Sequence, residues 1–524
     1  MQNIDIDLIR KDYFAGKYDN VIKNEYYINY NEDLLYLIVD SYLELGESEK
    51  CLELISNFDR NKTKISFFVW KFYFLSRINY LKGNYTEALD LIDEGLIVNQ
   101  KESNIFFLTR IMILKSEISW ALGKLLEALE YSQMAIGFCT IVGDDFFLAS
   151  ALNSQGMIYR ALGELQKSLE SHQKALNIRL DYKNPYHITS SLNNIAVIFW
   201  TKGNLNQALK YLTDAFSYED KIINKGIVAN WINNIAMIKD TQGYLDEALL
   251  MYQQAHDAFK QQKNFSAIAT TLCNIAEVCR SQNRLKEAKQ NHEKALNIRL
   301  TLKNPLHIAE SIFYNIVVSK DLDPFFNPQE LIDKFPKEPH EHKAIDAIFN
   351  MIKAIITQKE NNFNESEKYW AKAVKNTNLE FYFRNICIEE LVIISFLKWK
   401  ASPTEYTANE LENRLGDWEE MSVNNNLKSS LFKVYYIRAK VSMLELEFDK
   451  SIESYKICIS IAEEIGLPKH IEFAKRELNK AFTIKNEQIS NNNLSLNEYN
   501  ENIAEDALFS IKNLNKILSE ISLP

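Results

Sequence analysis

The chain has 524 residues, 46% of them hydrophobic, and a formal net charge of −10. Its pI of about 5.5 argues against a nucleic-acid surface, which needs a basic stripe. The 14 glycines and 9 prolines suit an all-helical protein, and the six scattered cysteines suggest small buried hydrophobes rather than disulfides or a zinc site.

The first residues, Met1 to Asp5, do not form a signal peptide, and the chain has no run of 18 apolar residues. Both features favour a cytoplasmic protein without a membrane contact. Residues 1–60 then carry two short helical hairpins, with turns at Gly16 and Gly46. We expect them to cap the N-terminal end of the array that follows.

Residues 61–322 contain a repeat with a period of 40 residues. The segment Leu192-Asn193-Asn194-Ile195-Ala196 returns as Ile232-Asn233-Asn234-Ile235-Ala236 and as Leu272-Cys273-Asn274-Ile275-Ala276. One period earlier the same positions read Leu152-Asn153-Ser154-Gln155-Gly156. At a constant distance each of these four segments is followed by a turn residue and, twelve positions later, an alanine: Gly163 with Ala175, Gly203 with Ala215, Gly243 with Ala255, and Asn283 with Ala295. A period of this size is the signature of a repeat array.

The pattern of each repeat predicts two antiparallel helices joined by a turn. Glycine suits this turn because it adopts a left-handed backbone conformation at little cost in free energy. Small residues such as Ala196 and Ala236 fall where the two helices cross closely. One hairpin cannot bury its apolar face alone, so neighbouring hairpins are expected to stack around a continuous core.

The pattern of a small residue, a turn glycine and two later alanines resembles the tetratricopeptide repeat. The 40-residue form is similar to that of the kinesin light chains, since Ala175-Leu176-Asn177-Ile178-Arg179 and Lys183-Asn184-Pro185 precede Leu192-Asn193-Asn194. This resemblance implies an all-α fold, a right-handed superhelix (a solenoid) of about ten to twelve helical hairpins. It implies no link to a motor chain, because no N-terminal heptad segment is present.

The 40-residue repeat is no longer recognisable after Ile316. Four prolines, Pro324, Pro328, Pro336 and Pro339, predict an irregular connection over 323–343 around a short helix. His340-Glu341-His342 lies there, and without a third ligand it suggests an exposed loop rather than a metal site. Helical hairpins resume as a second, degenerate array over 344–486.

Residues 487–524 combine a polar linker with a final helix whose apolar residues lie on one stripe, namely Ala507, Ile511, Leu514, Leu518 and Ile521. We expect this helix to cover the end of the last repeat. Insertion into the groove as an autoinhibitor and self-association are the alternatives.

The concave groove lined by the first helix of each repeat is the candidate site. Counting back from the turns places twelve residues on that face: Asn153, Arg160, Asn193, Asn194, Trp200, Asn230, Asn233, Asn234, Asp240, Asn274, Glu277 and Arg280. A carboxamide both donates and accepts hydrogen bonds, so a row of asparagines suits an extended peptide backbone. The resemblance implies the same role for Asn194, Asn234 and Asn274. The alternative is that the asparagines brace neighbouring helices.

No phosphate loop, nucleophile motif or metal-ligand spacing occurs in the sequence. We therefore expect no enzyme activity, no cofactor and no metal. The expected function is a protein-interaction scaffold that holds a peptide or helix of a partner in its groove. The alternative is a regulator whose superhelix changes conformation when it binds a peptide. The partner's identity and the oligomeric state stay open.

Overall fold

The structure is a computed structural model that describes residues 5–26, 32–59, 65–100, 104–202, 204–323, 325–337, 344–376, 379, 381–464 and 468–490. These residues form α-helices and no strand. The N-terminal hairpins and the 40-residue array comprise α1 (Ile6–Phe14), α2 (Tyr18–Ile22), α3 (Glu32–Glu44), α4 (Ser48–Asp59), α5 (Ile65–Lys82), α6 (Tyr85–Asn99), α7 (Ile105–Ala121), α8 (Leu125–Val142), α9 (Asp145–Ala161), α10 (Leu165–Tyr182), α11 (Pro185–Lys202), α12 (Leu205–Phe216), α13 (Lys225–Gln242), α14 (Leu245–Gln261), α15 (Phe265–Ser281), α16 (Leu285–Leu302) and α17 (Pro305–Leu322).

The rest of the described chain continues the same arrangement. It comprises α18 (Gln329–Ile332), α19 (Ala344–Lys359), α20 (Phe363–Val374), α21 (Phe381–Ala401), α22 (Glu405–Asn424), α23 (Lys428–Leu444), α24 (Phe448–Glu464) and α25 (Pro468–Ser490). Consecutive helices pair as hairpins, with the short α18 in place of a full second helix after α17. The described residues therefore contain eleven hairpins, this incomplete unit and a final single helix. The predicted all-α superhelix of ten to twelve hairpins is confirmed.

The small residues lie where the helices of a hairpin cross. Ala175, Ala215, Ala255 and Ala295 are all fully buried. A Cβ atom added to Gly156 on α9 would lie 2.6 Å from Nε2 of His172 on α10. Side-chain size at these positions therefore sets how closely the helices approach.

The first helices of successive hairpins pack against one another, as in the pairs α9–α11, α11–α13 and α13–α15, more closely than the second helices do. The array therefore curves toward its first helices, which form the inner layer. The second helices form the outer layer. The predicted groove is the inner face of this curve.

Asparagine caps most inner helices of the 40-residue array. The Oδ1 atoms of Asn184, Asn224, Asn264 and Asn304 accept hydrogen bonds from main-chain N–H groups in the first turn of α11, α13, α15 and α17. This satisfies a donor that has no partner inside the helix. Pro185 and Pro305 stand at the first helical position, where a missing N–H costs nothing.

The same asparagines join successive turns of the superhelix. The Nδ2 atom of Asn184 donates to the main-chain oxygen of Phe14 at 3.2 Å, and that of Asn224 donates to Glu44 O at 2.9 Å. Asn304 donates to Ala121 O at 2.7 Å. Each acceptor lies two residues before a turn glycine, five hairpins earlier in the chain. We call this line of contacts the seam.

The turn glycines face the seam. They have positive φ, +85° at Gly83 and +78° at Gly123. A Cβ atom added to Gly83 would lie 2.4 Å from Cδ2 of Leu302, and one added to Gly123 would lie 3.0 Å from Cδ of Pro305. Glycine is thus required for close approach as well as for conformation.

Left-handed turn residues other than glycine occur toward the C-terminal end, at Asn283, Asn361 and Leu446. Within the described residues these hairpins have no complete hairpin five positions later. The turn can therefore carry a side chain. A positive φ nevertheless costs asparagine, and especially leucine, more conformational free energy than it costs glycine.

One outer helix among those described, α8, is long and apolar enough to cross a membrane by length and composition, and 28% of it is buried. The stripe formed by Ala128, Ser132, Ala135 and Cys139 is buried, as on the other outer helices. Length and composition alone are weak evidence for a membrane span, because core helices pass the same test.

The domain boundaries expected from the sequence are a proposal that the helix bounds support. α17 ends at Leu322, the short α18 lies inside the predicted connection, and α19 begins at Ala344. α25 runs four residues beyond the predicted end of the second array, and its Glu477 forms a buried ion pair with Lys440 of α23 at 2.6 Å. His340, Glu341 and His342 and the predicted C-terminal helix lie outside the described residues, as does Gly203.

Candidate ligand groove

The inner face of α9, α11, α13 and α15 carries three asparagine pairs. Nδ2 of Asn194 donates to Oδ1 of Asn153 at 3.0 Å. One repeat later Asn234 donates to Asn193 at 2.8 Å, and another repeat later Asn274 donates to Asn233 at 3.0 Å. The carboxamides therefore bridge each inner helix to the one before it, which is the bracing role that the sequence left as the alternative.

In the first and third pairs the donor and acceptor differ in exposure, whereas Asn193 and Asn234 of the middle pair are both half-buried. Asn153 and Asn233 are 8% and 7% exposed, whereas Asn194 and Asn274 are half-buried. A carboxamide has two N–H donors and an oxygen with two lone pairs. Among the described residues, the bridge uses one N–H of Asn194 and of Asn274, so each keeps one N–H and its oxygen for another partner.

The row changes at Ser154, which stands where the other repeats have asparagine. Its hydroxyl donates to Oε1 of Glu117 on α7 at 2.7 Å. Burial raises the pKa of Glu117, and the hydrogen bond from Ser154 opposes that effect. The bridge between inner helices thus continues toward the N-terminus with different side chains.

Below Asn153 lies a buried basic group. Nη1 of Arg179 donates to the main-chain oxygen of His187 at 3.0 Å and to Oγ of Ser191 at 2.8 Å. Burial lowers the pKa of Arg179 to about 10. His172 makes a 3.1 Å contact with Asn153, and burial with the charge of Arg179 lowers the pKa of His172 to about 3. His172 is therefore a neutral packing residue, in keeping with its recurrence in the repeat.

The C-terminal part of the groove holds a charged cluster around Glu277. His292 Nε2 lies 2.9 Å from Oε1 of Glu277, Arg280 lies 3.1 Å from Oε2, and the hydroxyl of Tyr382 donates to Oε2 at 2.7 Å. Burial would raise the pKa of Glu277, but the charges and hydrogen bonds of Arg280 and His292 lower it well below its usual value. Glu277 is thus a buried, fully partnered carboxylate.

Asp240 lies beside this cluster, and within the described structure its carboxyl makes no hydrogen bond. Burial and the charge of Glu277 raise the pKa of Asp240 to about 7, while Arg280 opposes the shift. The second carboxylate near Arg280 is Asp321, at 3.3 Å. With Glu277, Asp321 and Asp240 near one guanidinium, this end of the groove is acidic.

The remaining predicted residues do not share one environment. Trp200 is 6% exposed and belongs to an apolar cluster with Phe381 and Leu427, so the second array covers it and it is not open to a ligand. Asn230 is exposed and Arg160 is half-buried. The groove is therefore partly exposed along the asparagine row and closed at Trp200.

The polar contacts that close it come from α21. Besides Tyr382, Arg384 donates to the main-chain oxygen of Thr201, the position two residues before the turn that accepts the asparagine amides elsewhere. In the sequence, the predicted connection over 323–343 interrupts the 40-residue period, so the register of the second array cannot be counted from the first. No local pattern in the sequence could therefore have indicated which of its residues reach the groove.

A family model described as tetratricopeptide repeat matches residues 147–218 and 227–301, the part of the chain that contains the asparagine pairs. The narrower similarity to kinesin light chains is not confirmed. No curated protein matches the chain.

Several solved structures resemble the fold at low identity. A Rap protein complexed with competence and sporulation factor has 12% identity and a TM-score of 0.46, covering 72% of this chain and all of that one. Aspartyl phosphate phosphatase F from Bacillus subtilis has 15% identity and a TM-score of 0.40, covering 64% and 91%. A human IFIT1 dimer with m7Gppp-AAAA has 14% identity and a TM-score of 0.41, covering 88% and 96%. These likenesses concern the fold alone.

Proposed function

The chain is a tetratricopeptide-repeat protein, and we propose that it is a scaffold whose inner groove binds an extended peptide segment of a protein partner along α11, α13 and α15. The observation that carries the proposal is the row of half-buried asparagines on successive inner helices. Each of Asn194 and Asn274 has hydrogen-bonding capacity left after it bridges to the preceding helix.

The spacing of these groups favours a peptide main chain as the ligand. Backbone groups of an extended segment alternate between donor and acceptor, and a carboxamide can serve either. The acidic end formed by Asp240 and Asp321 favours a cationic group of the ligand there, because a positive charge would offset the carboxylate excess around Arg280.

A matched pair of double variants tests the groove. Asn194→Ala with Asn274→Ala removes two interhelical bonds together with the half-buried carboxamides. Asn153→Ala with Asn233→Ala removes the same two bonds but leaves Asn194 and Asn274 in the groove. Partners captured by each purified full chain from a lysate are quantified by mass spectrometry, and thermal unfolding is measured on the same samples.

We expect the first pair to lose captured partner and the second pair to lose stability while retaining partner per folded molecule. Each lost ligand bond costs about 0.5–1.5 kcal/mol, so two should weaken binding roughly tenfold to a hundredfold. Equal capture by the two pairs at equal folded concentration would assign the asparagines to bracing alone.

The second candidate is a regulator whose superhelix changes pitch on binding. The seam and the contact of Tyr382 with Glu277 define the conformation that a ligand would have to change, since a switch requires different affinities for two states. Hydrogen exchange of the segments around Ala121 and Asn304 with and without captured partner would reveal it. Unchanged protection would favour the simple scaffold.

The other expectations form part of the proposal. The proposal assigns no enzymatic reaction to the chain, although one similar structure is named a phosphatase. It places the protein in the cytoplasm, without a cofactor or a membrane contact. The acidic charge argues against nucleic acid, but the fold does not, because IFIT1 is seen with m7Gppp-AAAA.

A further inference from the structure

The outer face of α8 is apolar where the outer faces of other repeats are charged. Leu126, Met134 and Ile141 are 59%, 46% and 74% exposed. They lie on one side of the helix with the exposed residues Glu130, Gln133 and Gly137. We call these six residues the α8 face.

The repeats themselves provide the comparison. At the positions of Leu126, Met134, Gly137 and Ile141, α10 has Gln166, Lys174, Asn177 and Asp181, and α16 has Lys286, Lys294, Asn297 and Thr301. An outer helix of this array therefore needs no apolar residue at these positions for its own folding. Exposed apolar surface of this kind marks an interaction site.

We propose that the α8 face binds the α8 face of a second copy of this chain, with the two helices antiparallel about a twofold axis between Gln133 and Met134. In that arrangement Leu126 packs against the partner's Ile141, and the same contact repeats at the other end. Such a self-complementary patch is what a twofold interface requires.

The sizes of the central residues fit this pairing. Glu130 lies opposite the partner's Gly137, and a Cβ atom added to Gly137 would have no atom within 4 Å in the single chain. The glycine leaves room for the aliphatic part of the glutamate, while its carboxylate extends to solvent. Asparagine at the equivalent positions of α10 and α16 would fill that space.

The charges at the ends of the face also fit. Lys124, whose side chain is 54% exposed and lies 3.7 Å from Glu127, precedes the face. The exposed Asp145 follows it, beside Asp144, which is mostly buried and paired with Arg110. Antiparallel packing places each lysine near the acidic corner of the partner. Ile97, 63% exposed, has the position of Gly137 on the preceding outer helix and widens the apolar surface.

A lipid surface fits the face less well. Helices that lie on membranes flank their apolar side with lysine and arginine, whereas Glu127 and Glu130 lie along α8 and two aspartates follow it. Leu126, Met134 and Ile141 thus match another protein surface of the same composition better than an anionic bilayer.

Sedimentation of the full chain over a range of concentrations measures the association. We expect a dimer for the wild type. Met134→Lys combined with Ile141→Asp, which copies the residues of α10, should raise the dimer dissociation constant roughly tenfold or more. Leu250→Lys on α14, where the leucine is 58% exposed, is the control and should leave the dimer unchanged. Circular dichroism checks that all variants fold.

Cross-linking tests the geometry independently. The six native cysteines are buried, so Gln133→Cys adds a single accessible thiol next to the proposed axis, and mild oxidation should give a disulfide-linked dimer. Leu180→Cys, on the outer side of α10, should not cross-link. A monomer at all concentrations, a dimer that survives Met134→Lys with Ile141→Asp, or a monomer that binds anionic vesicles through this face would each overturn the proposal.

Discussion

The side-chain amide of Asn304 donates a hydrogen bond to the main-chain oxygen of Ala121, 183 residues earlier in the chain. Its oxygen meanwhile caps α17. One carboxamide therefore satisfies a donor at the start of one helix and an acceptor at the end of another. This double use explains why asparagine, and not serine or aspartate, occupies the cap.

The seam bond of Asn304 can be isolated by substitution. Asn304→Asp keeps the oxygen that caps the helix but loses the donor to Ala121 O and places two acceptors together. We expect a loss of about 0.5–1.5 kcal/mol or more, measured by urea unfolding. The control is Asn264→Asp, because Asn264 caps α15 in the same way and its amide makes no seam bond to any residue that the structure describes. Equal effects of the two variants would contradict a role for the seam in stability.

Two glycines with positive φ, one at the seam and one between two hairpins, provide a second test of the seam. Gly83 and Gly143 both have positive φ, +85° and +67°, so alanine pays a conformational penalty at each. Only at Gly83 would the new Cβ meet an atom, Cδ2 of Leu302. Gly83→Ala should therefore destabilise by about 1–3 kcal/mol more than Gly143→Ala. Similar melting temperatures for the two variants would show that the turn tolerates a side chain.

Two arginines at equivalent repeat positions differ in their partners. Arg299 forms a 3.3 Å ion pair with Glu310, whereas Ser190 stands at the equivalent position beside Arg179. Arg299→Met leaves the carboxylate of Glu310 without this guanidinium and should cost about 3–5 kcal/mol. Arg179→Met breaks no direct ion pair; it removes hydrogen bonds and the longer-range attraction to Glu44 and Glu117, and should cost about 1–3 kcal/mol. Unfolding of both variants near pH 7 compares them, and an equal or larger loss for Arg179→Met would contradict this account.

The raised pKa of Asp240 predicts a pH-dependent stability. Its pKa is about 7 in the folded chain, against an ordinary value of 3.8, so the folded state prefers the neutral carboxyl. Stability is therefore lost as the pH rises from about 4 to about 7, at up to about 1.4 kcal/mol for each unit of pKa shift. Above pH 7 the loss is constant.

Asp240→Asn should accordingly be more stable than the wild type at pH 8 by at least about 1 kcal/mol, with the difference shrinking toward pH 4. Thermal unfolding across this range measures it. Asp214→Asn, at an exposed position on α12, serves as the control and should show no such trend. A destabilised Asp240→Asn at pH 8 would mean that the carboxylate is needed by Arg280.

The sequence by itself determined the repeat, the hairpins and their turns. Those features depend on local requirements that recur every 40 residues: alanine where helices cross, a left-handed residue at the turn, and an asparagine cap. His172 and His292 stand 120 residues apart at the same position of the repeat, and both are buried. Local chemistry and periodicity sufficed because each hairpin contacts its neighbours in the same way.

Only the tertiary structure decided which groove residues are open and how the superhelix closes on itself. Asn194 and Asn153 are 41 residues apart and share a hydrogen bond. From the sequence, such bracing between helices was only the alternative to ligand binding by the asparagines. The burial of Trp200 beneath Phe381 depends on contacts between hairpins five positions apart. The seam hydrogen bond of Asn304 and the close packing at Gly83 depend on such contacts too. No local sequence pattern encodes these contacts, because they depend on the pitch of the superhelix. That pitch is the sum of the small rotations between successive hairpins along the whole array.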